Sequence, residues 1–122
     1  MKAIIVDDEK LAVENLEGKL HKIERITEVH GFTDPEEALE YVKANLVDVA
    51  FLDISMQQML GLVLAAKIRE IRQECAIIFV TGYSEYAVDA FRMHVEGYLL
   101  KPVRGGADRK GVRSHRTRLY AA

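Results

Sequence analysis

The chain has 122 residues, of which 49% are hydrophobic, 30% charged and 7% aromatic, a composition typical of one globular domain. No apolar run approaches the roughly 20 residues that a membrane span needs, and a single cysteine excludes a disulfide framework. The net charge of −2 hides an asymmetry: residues 1–103 carry 11 Lys and Arg against 18 Asp and Glu, and residues 104–122 carry six against one. Because no apolar signal core follows the N-terminus, we expect a cytoplasmic protein.

The first apolar run, residues 2–6, predicts a fully buried strand. Residues 9–23 follow with the period of a helix. The predicted buried face of this helix consists of Leu11, Leu16, Leu20 and Ile23. A second short strand is predicted at residues 28–32.

A second helix is predicted to begin after Asp34, which has the chemistry of an N-cap. Pro35 suits the first helical position, and Glu37 completes a capping-box pattern. The apolar positions predicted for this helix are Ala38, Leu39, Val42 and Leu46. The third buried strand, residues 49–52, leads directly to Asp53.

Beyond Asp53, a loop through Gly61 leads to a third helix. Its apolar positions are Leu64, Ala65, Ile68 and Ile71. The fourth strand, residues 76–80, ends on Thr81, and a short helix is predicted at residues 84–94. The side chains expected to be inward or half-buried on that helix are Tyr86, Ala87, Ala90 and Phe91. A fifth strand at residues 97–100 precedes Lys101.

The predicted strands are continuous apolar runs, which a parallel sheet covered by helices on both faces requires. The sequence therefore predicts a doubly wound five-stranded α/β domain over residues 1–103.

Residues 104–122 depart from this pattern, because three glycines between Gly105 and Gly111 disfavour the helix expected next. We expect an atypical basic tail there, produced by truncation with a vector-encoded or frame-shifted end, so that the last helix is missing or atypical. A solvated extension explains its positive charge more simply than a nucleic-acid arm does.

Polar side chains stand where the predicted strands end. They are Asp7, Asp8, Asp53, Thr81 and Lys101. Because the carboxyl ends of parallel strands carry the functional residues of open α/β sheets, we expect these side chains to meet. Three close carboxylates need a compensating cation, and Mg²⁺ prefers oxygen ligands. A carboxylate beside such a metal can act as the nucleophile in phosphoryl transfer, and Asp53 is the best placed of the three.

Four segments in this order resemble the motifs of response-regulator receiver domains, which have a flavodoxin-like, CheY-like fold. They are Ile4-Ile5-Val6-Asp7-Asp8-Glu9, Phe51-Leu52-Asp53-Ile54, Phe79-Val80-Thr81-Gly82 and Tyr98-Leu99-Leu100-Lys101-Pro102. The run from Thr81 to Phe91 is especially similar to receivers that carry a LytTR-type DNA-binding output domain.

The resemblance implies that Asp53 accepts a phosphoryl group from a sensor histidine kinase, and that the protein is a signalling domain rather than a turnover enzyme. It also implies that Mg²⁺ is bound by Asp8, by Asp53 and by the backbone carbonyl of Ser55, with Asp7 acting mostly through water. Lys101 would pair with the phosphate.

The resemblance further implies that Thr81 and Tyr98 are the switch pair. In the family, the hydroxyl moves toward the phosphoryl group and the aromatic ring turns inward. The bond between Lys101 and Pro102 is commonly cis.

Two residues depart from the family pattern in the loop after Asp53. Gln57 stands where proline is usual, and Leu60 stands where a polar turn residue is usual, so we expect altered loop mobility rather than lost chemistry. The atypical last helix puts the usual dimer face in doubt. A homodimer through the fourth helix and fifth strand, or by exchange, stays open. DNA would be contacted only through an output domain absent from this chain.

Two other functions remain as alternatives. A small Mg²⁺-dependent phosphohydrolase would carry a second acid two residues after the nucleophile, where this chain has Ser55. A phosphate-independent adaptor with the same fold would not need the complete set of site residues.

Overall fold

The computed structural model describes residues 1–102, which form one five-stranded sheet with four helices. The strands are β1 (Lys2–Val6), β2 (Glu28–Phe32), β3 (Val49–Leu52), β4 (Ala76–Thr81) and β5 (Gly97–Leu100). The helices are α1 (Lys10–Leu20), α2 (Pro35–Ala44), α3 (Gly61–Ile71) and α4 (Ala87–Arg92). The sheet order is β2-β1-β3-β4-β5 and every neighbouring pair is parallel. The predicted doubly wound sheet is confirmed.

Alternate residues of the central strands face opposite sides of the sheet, and within residues 1–102 helices pack on both sides. In β1, Ile4 and Val6 join a core with buried residues of α2 and α3. Ala3 and Ile5 join a second core with buried residues of α1. The strand order reverses between β1 and β3, which opens a crevice at their carboxyl ends.

The predicted buried face of α1 is wrong in part. Leu11 is 74% exposed, and Ile23 lies beyond the end of the helix and is also exposed. Successive residues turn by about 100°, so Leu11 lies roughly 140° around the helix from Leu16. Val13 has the correct phase instead, and it is buried with Leu16 and Leu20.

The start of α2 is as predicted, whereas its end is not. Asp34 accepts a hydrogen bond from the Glu36 N–H at 2.9 Å, and Pro35 occupies the first helical position. Within residues 1–102, no hydrogen bond joins the Glu37 side chain to Asp34, so the capping box is not formed. The helix ends at Ala44, and Leu46 is therefore 72% exposed rather than part of an apolar face.

Helix α4 is shorter than the helix predicted at residues 84–94, and Phe91 is 62% exposed rather than inward or half-buried. The helix ends where His94 adopts a positive φ of 58°. The His94 N–H donates to the Phe91 carbonyl at 3.0 Å, and the Val95 N–H donates to the Ala90 carbonyl at 3.4 Å. These two bonds form a Schellman motif.

His94→Gly is expected to raise the free energy of unfolding by about 0.5–1 kcal/mol, because glycine adopts positive φ without the steric cost of a Cβ atom. Urea denaturation measures this change. Met93→Gly is the matched control: Met93 has a φ of −85°, so glycine there should destabilise. A loss of stability in His94→Gly would contradict the expectation.

Val103 and the predicted basic tail, residues 104–122, lie outside the described residues. The expectation that the last helix is missing or atypical falls on the same residues. The domain boundary at residue 103 stays a prediction. No helix between residues 1 and 102 combines the length and the apolarity needed to cross a membrane.

Candidate phosphoacceptor site

The side chains predicted from the strand ends meet at one edge of the sheet. Asp53 directly follows β3, and its N–H donates to the Val6 carbonyl at 2.9 Å, which holds it beside the end of β1. The Lys101 N–H donates to the Thr81 carbonyl at 2.8 Å and continues the pairing of β4 with β5. The sheet therefore brings Asp7, Asp53, Thr81 and Lys101 together.

Lys101 lies between two buried carboxylates. Its Nζ is 2.7 Å from Asp7 Oδ2 and 3.4 Å from Asp53 Oδ2. Asp7 is 4% exposed and Asp53 is 7% exposed. One ammonium group therefore serves two buried carboxylates.

The charges at this site do not balance. Burial raises the pKa of the Asp53 carboxyl, Asp7 raises it further, and Lys101 and a hydrogen bond from Thr81 only partly oppose these effects. Burial lowers the pKa of Lys101, but the hydrogen bond to Asp7 and the charges of Asp53 and Asp7 outweigh it, so that pKa is raised overall. The nearby positive charge is therefore too small to compensate the negative charges of the carboxylates.

Asp53→Asn is therefore expected to stabilise the metal-free protein at neutral pH. A raised folded-state pKa means that the stability contributed by protonated Asp53 is complete below the unfolded pKa, near 4. That contribution is lost as the pH rises through the folded pKa. The variant does not titrate there, so its advantage should appear as the pH rises from about 4 and then level off. Urea unfolding with chelator across this range measures it, and an advantage that falls with rising pH would contradict the expectation.

The acidic side chains fit a small divalent cation. Asp7, Asp8 and Asp53 each offer a carboxylate oxygen, and these atoms lie within 4.8 Å of one another. Mg²⁺ usually keeps several water molecules, so a carboxylate beside the ion can also contact it through water. Asp7 suits that role, because its Oδ1 accepts from the Glu9 N–H at 3.0 Å and its Oδ2 from Lys101. The Ser55 carbonyl oxygen accepts no hydrogen bond from residues 1–102, so it is available to a cation.

Thr81 and Tyr98 are both buried. The Tyr83 N–H donates to Thr81 Oγ1 at 3.4 Å, and the Tyr98 hydroxyl donates to the Tyr83 carbonyl. Burial raises the pKa of Tyr98 to about 12, so the hydroxyl stays protonated as a donor. The Tyr98 ring lies inward and packs edge-on against Phe79 with ring centroids 6.2 Å apart. The predicted bond between Lys101 and Pro102 is cis.

The loop after Asp53 contains two features that the sequence did not reveal. The Gln57 N–H donates to Asp8 Oδ2 at 3.2 Å. The Gly61 N–H donates to the Ile54 carbonyl at 2.7 Å, and a Cβ atom on Gly61 would lie 2.1 Å from the Asp53 carbonyl oxygen. The sequence marks these two positions only by the absence of the usual proline at Gln57 and by the glycine at position 61.

Comparison with known proteins agrees with this arrangement. The family model described as response regulator receiver domain matches residues 3–109. The transcriptional regulatory protein LytR of Staphylococcus aureus is 39% identical over 102 residues, which make up 84% of this chain and 42% of that protein. The chain thus spans less than half the length of this curated relative.

Two solved structures share the fold. The response regulatory domain of protein mrkE from Klebsiella pneumoniae has a TM-score of 0.78 and 36% identity, with 85% of each chain covered. The response regulator TrrA from Thermotoga maritima, in complex with Mg²⁺-BeF, has a TM-score of 0.74 and 28% identity, with 96% of this chain and 98% of that chain covered. The predicted resemblance is confirmed: the chain belongs to the response regulator receiver domain family and is the receiver domain of a two-component response regulator.

Proposed function

We propose that Asp53 accepts a phosphoryl group from a phosphohistidine of a sensor histidine kinase. The observation that carries this proposal is the buried carboxylate of Asp53 beside the Lys101 ammonium, at the carboxyl edge of the sheet. Ser55 stands where a second acid would support rapid hydrolysis, so the domain is proposed to hold the phosphoryl group as a signal rather than to turn over a substrate.

In the proposed transfer, an Asp53 carboxylate oxygen forms a bond to phosphorus while the bond from phosphorus to the histidine nitrogen of the kinase breaks. The Lys101 ammonium lies 3.4 Å from Asp53 Oδ2 and would neutralise charge on the transferring oxygens. The Thr81 hydroxyl, which lies close enough to Asp53 to lower the pKa of that carboxyl, would donate to one of those oxygens.

Mg²⁺ is proposed as the cofactor, with Asp8, Asp53 and the Ser55 carbonyl as ligands and Asp7 acting through water. Its chemistry when bound is charge neutralisation on the phosphoryl oxygens. Three carboxylates lie close together, and the Lys101 ammonium pairs with only two of them, so the site has a deficit of positive charge that supports this proposal. TrrA was solved with Mg²⁺-BeF, which is consistent with such a site.

Phosphorylation would act through Thr81 and Tyr98. The inward Tyr98 ring and its bond to the Tyr83 carbonyl join β5 to the segment before α4. Exchange between this arrangement and one with the ring outward would change the surface of α4. Val88 and Phe91 are exposed on that helix, which supports a homodimer or partner face there.

The LytR relative is a transcriptional regulatory protein, and we place this chain in the same type of cytoplasmic pathway. The transcriptional output would require a DNA-binding domain outside residues 1–122.

Incubation with acetyl phosphate, followed by intact mass measurement, tests the proposal. The wild type is expected to gain the mass of one phosphoryl group with Mg²⁺ and none with chelator. Asp53→Asn should gain none, whereas Asp89→Asn, which changes an exposed carboxylate on α4, should behave as wild type. An equal gain in Asp53→Asn would rule out Asp53 as the acceptor.

A further inference from the structure

A backbone group of the loop after Asp53 reaches across to Asp8. The Gln57 N–H donates to Asp8 Oδ2 at 3.2 Å, joining positions 49 residues apart in the chain. The donor is the backbone nitrogen of Gln57, so this contact does not depend on the side chain at position 57. In the part of the chain from residue 1 to 102, this is the one hydrogen bond between that loop and Asp8.

The bond gives Asp8 the support that the other two carboxylates obtain elsewhere. Asp7 is held by the Glu9 N–H at 3.0 Å and by Lys101 at 2.7 Å, and Asp53 is held by Lys101 at 3.4 Å. Lys101 makes no ion pair with Asp8 among the described residues. The Gln57 N–H is thus the donor that orients Asp8.

A donor of this kind is compatible with a bound cation. Each carboxylate oxygen has two lone-pair sites, so Asp8 can accept the N–H and still ligate a metal. Carboxylates that bind metals are commonly held by such outer hydrogen bonds, and loss of one typically weakens metal binding 10–100-fold.

We propose that the backbone N–H of Gln57 is a positioning group that holds Asp8 ready for a divalent cation. The family pattern that the sequence resembles has proline at this position, and proline has no N–H to donate. This chain therefore orients Asp8 with a contact that the usual loop sequence cannot make. The inference rests on the proposed function for the identity of the cation, Mg²⁺.

The test is calorimetric titration of Mg²⁺ into phosphate-free protein. Gln57→Pro removes the donor and is expected to weaken Mg²⁺ binding about tenfold. Gln57→Ala keeps the N–H and should stay within about twofold of wild type. Gln58→Pro places proline at the next position, where the backbone N–H has no hydrogen-bond partner among residues 1–102. This control variant should bind Mg²⁺ as tightly as wild type.

A second variant guards against misfolding of Gln57→Pro. The α-hydroxy acid of glutamine at position 57 replaces the N–H with an ester oxygen and keeps the side chain, and the same weakening is expected. If both variants fold and bind Mg²⁺ as tightly as wild type, the positioning role is overturned while the proposed function stands. If wild type itself binds no Mg²⁺, both are overturned.

Discussion

Lys101→Met is expected to slow phosphorylation of Asp53 by acetyl phosphate about 100-fold, the typical loss when one charged donor to a transferring group is removed. Methionine keeps the apolar stem and removes only the ammonium, which now lies 2.7 Å from Asp7 and 3.4 Å from Asp53. Without it, Asp7 and Asp53 lose their ion pairs, and the incoming phosphoryl oxygens lose one of the two positive charges proposed to neutralise them.

Lys43→Met is the matched control for this experiment. Lys43 pairs with Glu40 at 3.2 Å on the surface of α2, and such exposed pairs contribute little. The rate is measured by intact mass at several times, with urea unfolding as the check that each variant is folded. A rate for Lys101→Met within about threefold of wild type would show that the ammonium does not assist transfer.

Gly61→Ala is expected to lower the free energy of unfolding by about 3 kcal/mol, the upper part of the usual range for overpacking. A Cβ atom on Gly61 would lie 2.1 Å from the Asp53 carbonyl oxygen and 2.7 Å from Ile54 Cα. Both are backbone atoms beside the proposed acceptor, so no side chain can turn away to relieve the contact. The strain should also displace Asp53 and reduce phosphorylation.

Gly18→Ala is the matched control. Gly18 is exposed inside α1 and nothing lies within 4 Å of its added Cβ atom, so alanine should stabilise by about 1 kcal/mol. Urea denaturation of both variants gives the comparison. Equal stabilities for Gly61→Ala and wild type would contradict the close packing of the loop on Asp53.

The strands were predicted well because a parallel sheet buried on both faces needs uninterrupted apolar runs, as in residues 49–52. The helix faces were predicted less well. Leu11 and Phe91 are large apolar residues at exposed positions, and hydrophobicity alone does not say which side of a helix meets the sheet. Leu46 was assigned to α2 because nothing in its own chemistry marks the end of that helix at Ala44.

The site followed from topology, since Asp7, Asp53 and Lys101 each follow a strand and parallel strands end at one edge. Other contacts could not be inferred in that way. The donor at Gln57 is a backbone N–H, which almost every residue type possesses. Its target is Asp8, a residue far away in the chain, and only the folded loop brings the two together.

The most direct test of the central claim is to locate the phosphoryl group. The protein is phosphorylated with acetyl phosphate and Mg²⁺ and reduced with borohydride, which converts an aspartyl phosphate to homoserine, and its peptides are then sequenced by tandem mass spectrometry. The account predicts homoserine at position 53 and at no other aspartate. Homoserine at position 7 or 8, with Asp53 unchanged, would contradict it.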